Sequence, residues 1–160
     1  QMGTLISQAI GQVRQVLIDL RPPLLEEHGL AAALDNELRN RSLTQPQLDF
    51  SIDVQPEIAV MRWSPEVEYA AFMVAREAIE NALRHSGAPS VSVALSGAPL
   101  SLQLEVADNG VGIAGGITAR AGHLGILGMH ERAQAIGAAV TIDSGEAHGT
   151  RVNFSWQPKP

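Results

Sequence analysis

The chain has no cysteine, which excludes disulfides, zinc thiolates and a cysteine nucleophile. Its one lysine, Lys159, lies in the C-terminal tail, so there is no P-loop lysine and no plausible Schiff-base lysine. Aromatic residues make up 4% of the chain, so a core must be built mainly from Ala, Leu, Ile and Val. The net charge of -6 argues against a general nucleic-acid binder, which needs a basic face, and no direct nucleic-acid partner is expected. No apolar run approaches the roughly 18–20 residues of a membrane span. No signal peptide is visible either, and the chain reads as cytosolic. What is present is a 160-residue sequence, 45% hydrophobic, enough for one ordinary domain with an appendage. It opens without methionine on an amphipathic pattern already in progress, as a piece of a longer protein would.

Ile6, Ile10, Val13, Leu17, Leu20 and Leu24 recur as a heptad seam. That helix would pair with a partner helix in a bundle, or dock on its own domain. Pro22 and Pro23 should end or kink it near Leu20. A second short helix is expected over Leu30 to Arg41, and a strand over Leu48 to Val54. Ser64 and Pro65 read as N-cap and first position of a helix reaching His85. Val67, Ala70, Ala71, Val74, Ala78 and Ala82 supply its buried face. Ser90 to Leu95 and Leu100 to Val106 read as a hairpin. Ala114 to His123 is glycine-rich, lacks a period and should be mobile. A helix over Gly125 to Ile136 closes at Gly137, and the last strands span Ala138 to Ile142 and Thr150 to Trp156. The fold class is α+β: a mixed, mostly antiparallel sheet covered on one face by helices. A domain boundary is expected around Asn40 to Gln47, dividing 1–40 from 41–160.

Three segments carry candidate chemistry. Glu77, Asn81 and His85 stand four apart, which places them on one helix face. The amide oxygen of Asn81 suits magnesium, which accepts few protein ligands and takes the rest from phosphate and water. Glu77 would assist one turn earlier, and His85 would touch phosphate one turn later. The same spacing also suits an ordinary exposed polar face. Asp108 closes a strand and opens DNGVG. Its carboxylate can accept a hydrogen bond from an exocyclic amine such as adenine's, though DNG is equally a turn signal. GHLGILG brings Gly122, Gly125 and Gly128 to a helix start, where free amides and the helix dipole attract polyphosphate. A flexible loop is the other reading there.

In order, these segments resemble the motifs of the ATPase superfamily shared by DNA gyrase, heat-shock chaperones, MutL and histidine kinases. E-x-x-x-N-x-x-x-H at Glu77 to His85 is similar to its N box, and D-x-G-x-G at Asp108 to Gly112 to its G1 box. Gly122 to Gly128 resembles the G2 box, and Gly149-Thr150 the glycine-threonine element that follows. REAIENALRHSGA with GHLGILGMHERAQAIGA is most similar to bacterial sensor histidine kinases of the nitrate-sensor and desaturase-sensor type. LIDLRPPLLEEHGLAAAL looks like the end of their dimerisation and phosphoacceptor region.

The resemblance implies a Bergerat-type sandwich preceded by a bundle helix, with ATP and magnesium as cofactors. It implies that Asn81 coordinates magnesium with help from Glu77, these two being the catalytic pair, and that Arg84 and His85 face the phosphates. Asp108 would bind the adenine amine, and Gly110 and Gly112 would shape the base pocket. Gly125 and Gly128 would serve the lid, beside a contact from His123, and Thr150 would lie near the adenine. The family's acceptor histidine sits on an earlier helix, and none of His28, His85, His123, His130 and His148 stands in such a context. The chain is therefore expected to bind ATP without phosphorylating itself. A parent kinase would be a homodimer anchored in the cell membrane, passing phosphate to a response regulator with a helix-turn-helix output. A nucleotide-binding regulatory module without phosphotransfer, or a serine kinase of the anti-sigma-factor type, are the alternative functions.

Overall fold

The computed structural model describes residues 22–86, 90–110, 120–145 and 149–159, with the backbone alone for 85–86 and 120–124. The expected heptad helix therefore lies outside the described residues. Helix α1, Pro23–His28, begins with Pro23 at its first position, where a missing N–H costs nothing. Gly29, at φ 93°, turns the chain directly into α2, Leu30–Thr44. Strand β1, Asp49–Val54, and the short helix α3, Pro56–Ala59, lead to α4, Pro65–Asn81. A π-helical turn, Ala82–Ser86, prolongs α4. Strands β2, Ser90–Ala98, and β3, Ser101–Asp108, form the hairpin. Helix α5, Arg120–Ala135, precedes β4, Ala139–Gly145, and β5, Gly149–Trp156.

The five strands form one sheet in the order β1-β2-β3-β5-β4. Only β1 and β2 run parallel, so the sheet is mixed and mostly antiparallel, as expected. Side chains alternate across a strand. One face carries Val91, Val93 and Leu95, then Leu102, Leu104 and Val106, then Val152 and Phe154, all buried. The opposite face carries Ser92, Gln103, Arg151, Thr141 and Asp143, all exposed, as suits a sheet covered on one side.

Helix α4 lies against β3 and β5 on the apolar face, flanked by α2 and α5. The buried face expected for it is present, Ala82 included, and Phe72, Ala75 and Ile79 are buried as well. With neighbours on several sides, α4 is apolar around most of its circumference. Helix α2 buries Leu30, Ala31, Ala33, Leu34 and Leu38 in the same core.

Three expectations need correcting. Regular α-helix stops at Asn81 rather than His85, and the π turn carries more residues per turn. The four-residue stripe therefore does not extend regularly to His85. Ser64 precedes α4 as the N-cap, but its side chain makes no capping bond. Helix α5 starts at Arg120, five residues before the expected start, because Ile126, Met129 and Ala133 bury one face and draw the turn before them into register.

Two charged contacts tie the N-terminal helices to α4. Glu68, the one buried charged side chain among the described residues, accepts hydrogen bonds from Arg62 Nε at 3.0 Å and Nη2 at 3.1 Å. Arg62 Nη2 also donates to the carbonyls of Leu25 and Glu26, at the end of α1. The hydrogen bond to Glu68 raises the Arg62 pKa, against a lesser effect of burial. At the other end of α4, Arg41 Nη1 pairs with Glu80 Oε2 at 2.6 Å.

Candidate nucleotide site

The site grows out of the register of the sheet. Leu102, Leu104 and Val106 point to the helices, and the same alternation puts Asp108 on that face at the end of β3. Ser144 pairs with Thr150 in the β4–β5 ladder, two positions beyond the Ile142–Val152 pair. The inward surface thus changes from an apolar row to a polar one, Ser144, Thr150 and Asp108, where the sheet ends.

Hydrogen bonds fix this polar row. Asp108 Oδ1 accepts from the Gly110 amide at 2.9 Å and from the Thr150 amide at 3.4 Å. The Ser144 and Thr150 hydroxyls lie 3.0 Å apart. Asn109 Oδ1 accepts the Ser90 amide at 3.0 Å and holds the start of β2 to the turn. Oδ1 thus anchors the turn, and Oδ2 accepts no bond among the described residues. Gly149, at φ 73°, passes so close to Asp108 that a Cβ there would strike its carbonyl.

The second wall is α4. Glu77 and Asn81 are half-buried, and among the described residues neither side chain has an ion pair or a hydrogen bond. A carboxylate and an amide on adjacent turns thus carry oxygens that no described residue engages. Gly125 of α5 sits directly over Glu77: a Cβ there would contact the carboxylate, with Cδ at 2.9 Å. Gly128 faces open space, with nothing within 4 Å of an added Cβ. Both glycines lie inside α5, so the amides left free by the helix start belong to 120–123 rather than to them. No group of three or more His, Asp or Glu side chains converges among the described residues. Arg84, expected to face phosphates, is exposed and donates to Glu80 Oε1 at 3.4 Å. The side chains of His85 and His123, and all of Gly112, lie outside the described residues.

A strand-end carboxylate tied to the next strand pair faces a helix bearing Glu and Asn, and this arrangement has relatives. Residues 66–160 match the family model described as histidine kinase-, DNA gyrase B- and HSP90-like ATPase. The chain belongs to that family. The ATPase is similar to the oxygen sensor histidine kinase NreB of Staphylococcus carnosus (strain TM300), 30% identical over 94% of this chain and 42% of that protein. It is also similar to the sensor histidine kinase LiaS of Bacillus subtilis (strain 168), 34% identical over 91% of this chain and 39% of that protein. The chain thus spans about two fifths of these relatives' length.

Among solved structures, the histidine kinase domain of the Erythrobacter litoralis EL346 blue-light activated kinase superposes with a TM-score of 0.64 at 19% identity. That match covers 79% of this chain and 64% of the other. The ATP binding domain of PrrB from Mycobacterium tuberculosis gives 0.58 at 21% identity, over 80% and 93%. At such identities the likeness shows the fold. The ATPase is an ATP-binding domain of the kind that sensor histidine kinases carry. No helix among its described residues is long and apolar enough to cross a membrane.

Sequence reasoning did not single out two residues of this region, Ser144 and Glu80. Ser144 gave no signal, because its place beside Thr150 comes from strand pairing. Glu80 could have been found from its spacing of four to Arg84, but its pairing with Arg41 is tertiary.

Proposed function

We propose that this domain binds ATP with magnesium and transfers the γ-phosphate to a histidine on a bundle helix outside the chain, for relay to a response regulator. The observation that carries the nucleotide reading is Asp108, with one oxygen committed to the Gly110 and Thr150 amides and the other open. That oxygen would accept the adenine amine. Gly110 and Gly112 would let the loop pass the flat base, and Thr150 would stand beside it.

The donors on α4 fit magnesium, which takes oxygen ligands and few of them from protein. Asn81 would hold it through the amide oxygen, with Glu77 assisting one turn away. When bound, magnesium would supply charge neutralisation at the phosphates. Phosphoryl transfer rests on such positioning and neutralisation more than on covalent chemistry. Arg84 and His85 would reach the phosphates from the end of α4. Gly125, Gly128 and His123 would contact them from α5, which requires its first turns to open. Residues 1–40 would end the dimerisation region and 41–160 would form the catalytic domain. The parent would be a membrane-anchored homodimer with this part in the cytoplasm, and its regulator would carry a helix-turn-helix output. The heptad seam leading into LRPP favours this over a serine kinase of the anti-sigma-factor type, and the retained Glu77, Asn81 and Asp108 favour it over a module that only binds.

Calorimetric titration with ATP and magnesium tests the reading. The wild type should bind at micromolar to sub-millimolar concentration, about 4–8 kcal/mol, and Asp108→Asn should not. A folded wild type that binds no ATP would refute it.

A further inference from the structure

We propose that Glu80 links the entering helix α2 to the nucleotide site by setting how available Arg84 is to the phosphates. The inference rests on the ATP-binding reading and assigns a positioning role that the reading itself does not contain. Glu80 sits in the last turn of α4, next to Asn81. Its two oxygens are divided between two arginines. Oε2 pairs with Arg41 of α2 at 2.6 Å, and Oε1 with Arg84 of the π turn at 3.4 Å.

The two holds are unequal. Arg41 is 24% exposed and also donates to Glu37 at 3.2 Å. Burial alone would lower the Arg41 pKa, but hydrogen bonds and charge from Glu80 and Glu37 outweigh it and raise the value. Arg84 is 56% exposed, at a longer distance and with no second partner among the described residues. Exposed pairs of this kind are weak and easily exchanged for a better anion. A triphosphate would be that anion, since a guanidinium binds phosphate with a fork of two donors.

The balance therefore turns on Arg41. While Arg41 neutralises Glu80, Arg84 is lightly held and free to swing. When Arg41 is removed, Glu80 turns its full charge on Arg84 and keeps it from the phosphates. A displacement of α2 that lengthened the Arg41–Glu80 pair would have the same effect. Arg41 and Glu80 are positioning residues in this scheme, and Arg84 is the group that touches the ligand.

The test is a mutant cycle on this chain, read by titration with ATP and with adenosine. Arg41→Met should weaken ATP by about three- to tenfold and leave adenosine unchanged. Glu80→Gln should tighten ATP by about two- to fivefold, again without effect on adenosine. Both effects should vanish in an Arg84→Met background. Persistence of the Arg41→Met effect without Arg84 would mean simple charge addition and would overturn the proposal. Parallel changes for ATP and adenosine would mean a structural role and would overturn it too. A wild type that binds adenosine but not ATP would refute the phosphate role of Arg84 and this proposal with it. A wild type that binds neither would instead overturn the ATP-binding reading on which both rest.

Discussion

Replacing Gly149 with alanine tests the site and the fold at one position. Gly149 holds φ 73°, a conformation that glycine adopts freely and other residues do not. Placing alanine in the left-handed region costs about 1–2 kcal/mol. The new Cβ would also strike the Asp108 carbonyl, with the carbonyl carbon and Oδ1 each at 2.8 Å. The obstacle is backbone within a paired strand, so relief needs β3 and β5 to part. Overpacking of this kind costs roughly 1–3 kcal/mol. The sum is about 2–5 kcal/mol, or about 5–15 °C in Tm for a domain of this size. The same movement displaces Asp108 and breaks its bond from Thr150. Loss of one charged hydrogen bond to a ligand, about 1.5–3 kcal/mol, should weaken ATP by about ten- to hundredfold. Thermal unfolding followed by circular dichroism reads the first effect and calorimetry the second. An alanine variant with unchanged Tm and unchanged ATP affinity would refute the argument at both levels.

Gly128→Ala is the contrasting substitution: with open space around its Cβ and a helical backbone, it should raise stability by up to about 1 kcal/mol, seen as a higher Tm. Glu68→Ala should cost about 1–3 kcal/mol, because it leaves the Trp63 amide without its acceptor and Arg62 with only the Leu25 and Glu26 carbonyls. Denaturant melts would report it, and a loss below about 0.5 kcal/mol would show the contact to be incidental. The amides of 120–128 should exchange faster than those of α4 without nucleotide and slow when ATP and magnesium are added. Exchange that is equally slow in both states would mean that α5 does not open.

The sequence carried the periodic part of this fold well. The apolar steps of α4 and the alternation in β2, β3 and β5 are local, and each reports its own burial. Asp108 was singled out because it closes a strand and opens a glycine-bearing turn, both local signals, and the structure places it at the end of β3. Helix α5 was misjudged at its start because three glycines within seven residues read as loop, while the burial of Ile126 and Met129 outweighs their cost. The π turn was invisible, since nothing in ALRHS marks a change of pitch. Arg41–Glu80, and the bonds from Arg62 to the Leu25 and Glu26 carbonyls, were out of reach for another reason: their partners come from separate elements, and only the packing of α2 and α1 on α4 brings them together.

The parallel pairing of β1 with β2 has a consequence for how the site can move. Parallel neighbours need a crossover connection, and here α4 is that crossover. If α4 melted, β1 would lose the element that returns the chain to its side. The helix bearing Glu77 and Asn81 thus opens only with an edge of the sheet, near the global limit of stability. Helix α5 joins β3 to β4, which are not neighbours, and its glycine-bearing start can loosen without unpairing a strand. Of the two helices beside Glu77, one is thus tied to the pairing of a sheet edge and the other is not, so the expected nucleotide would find its movable side at α5.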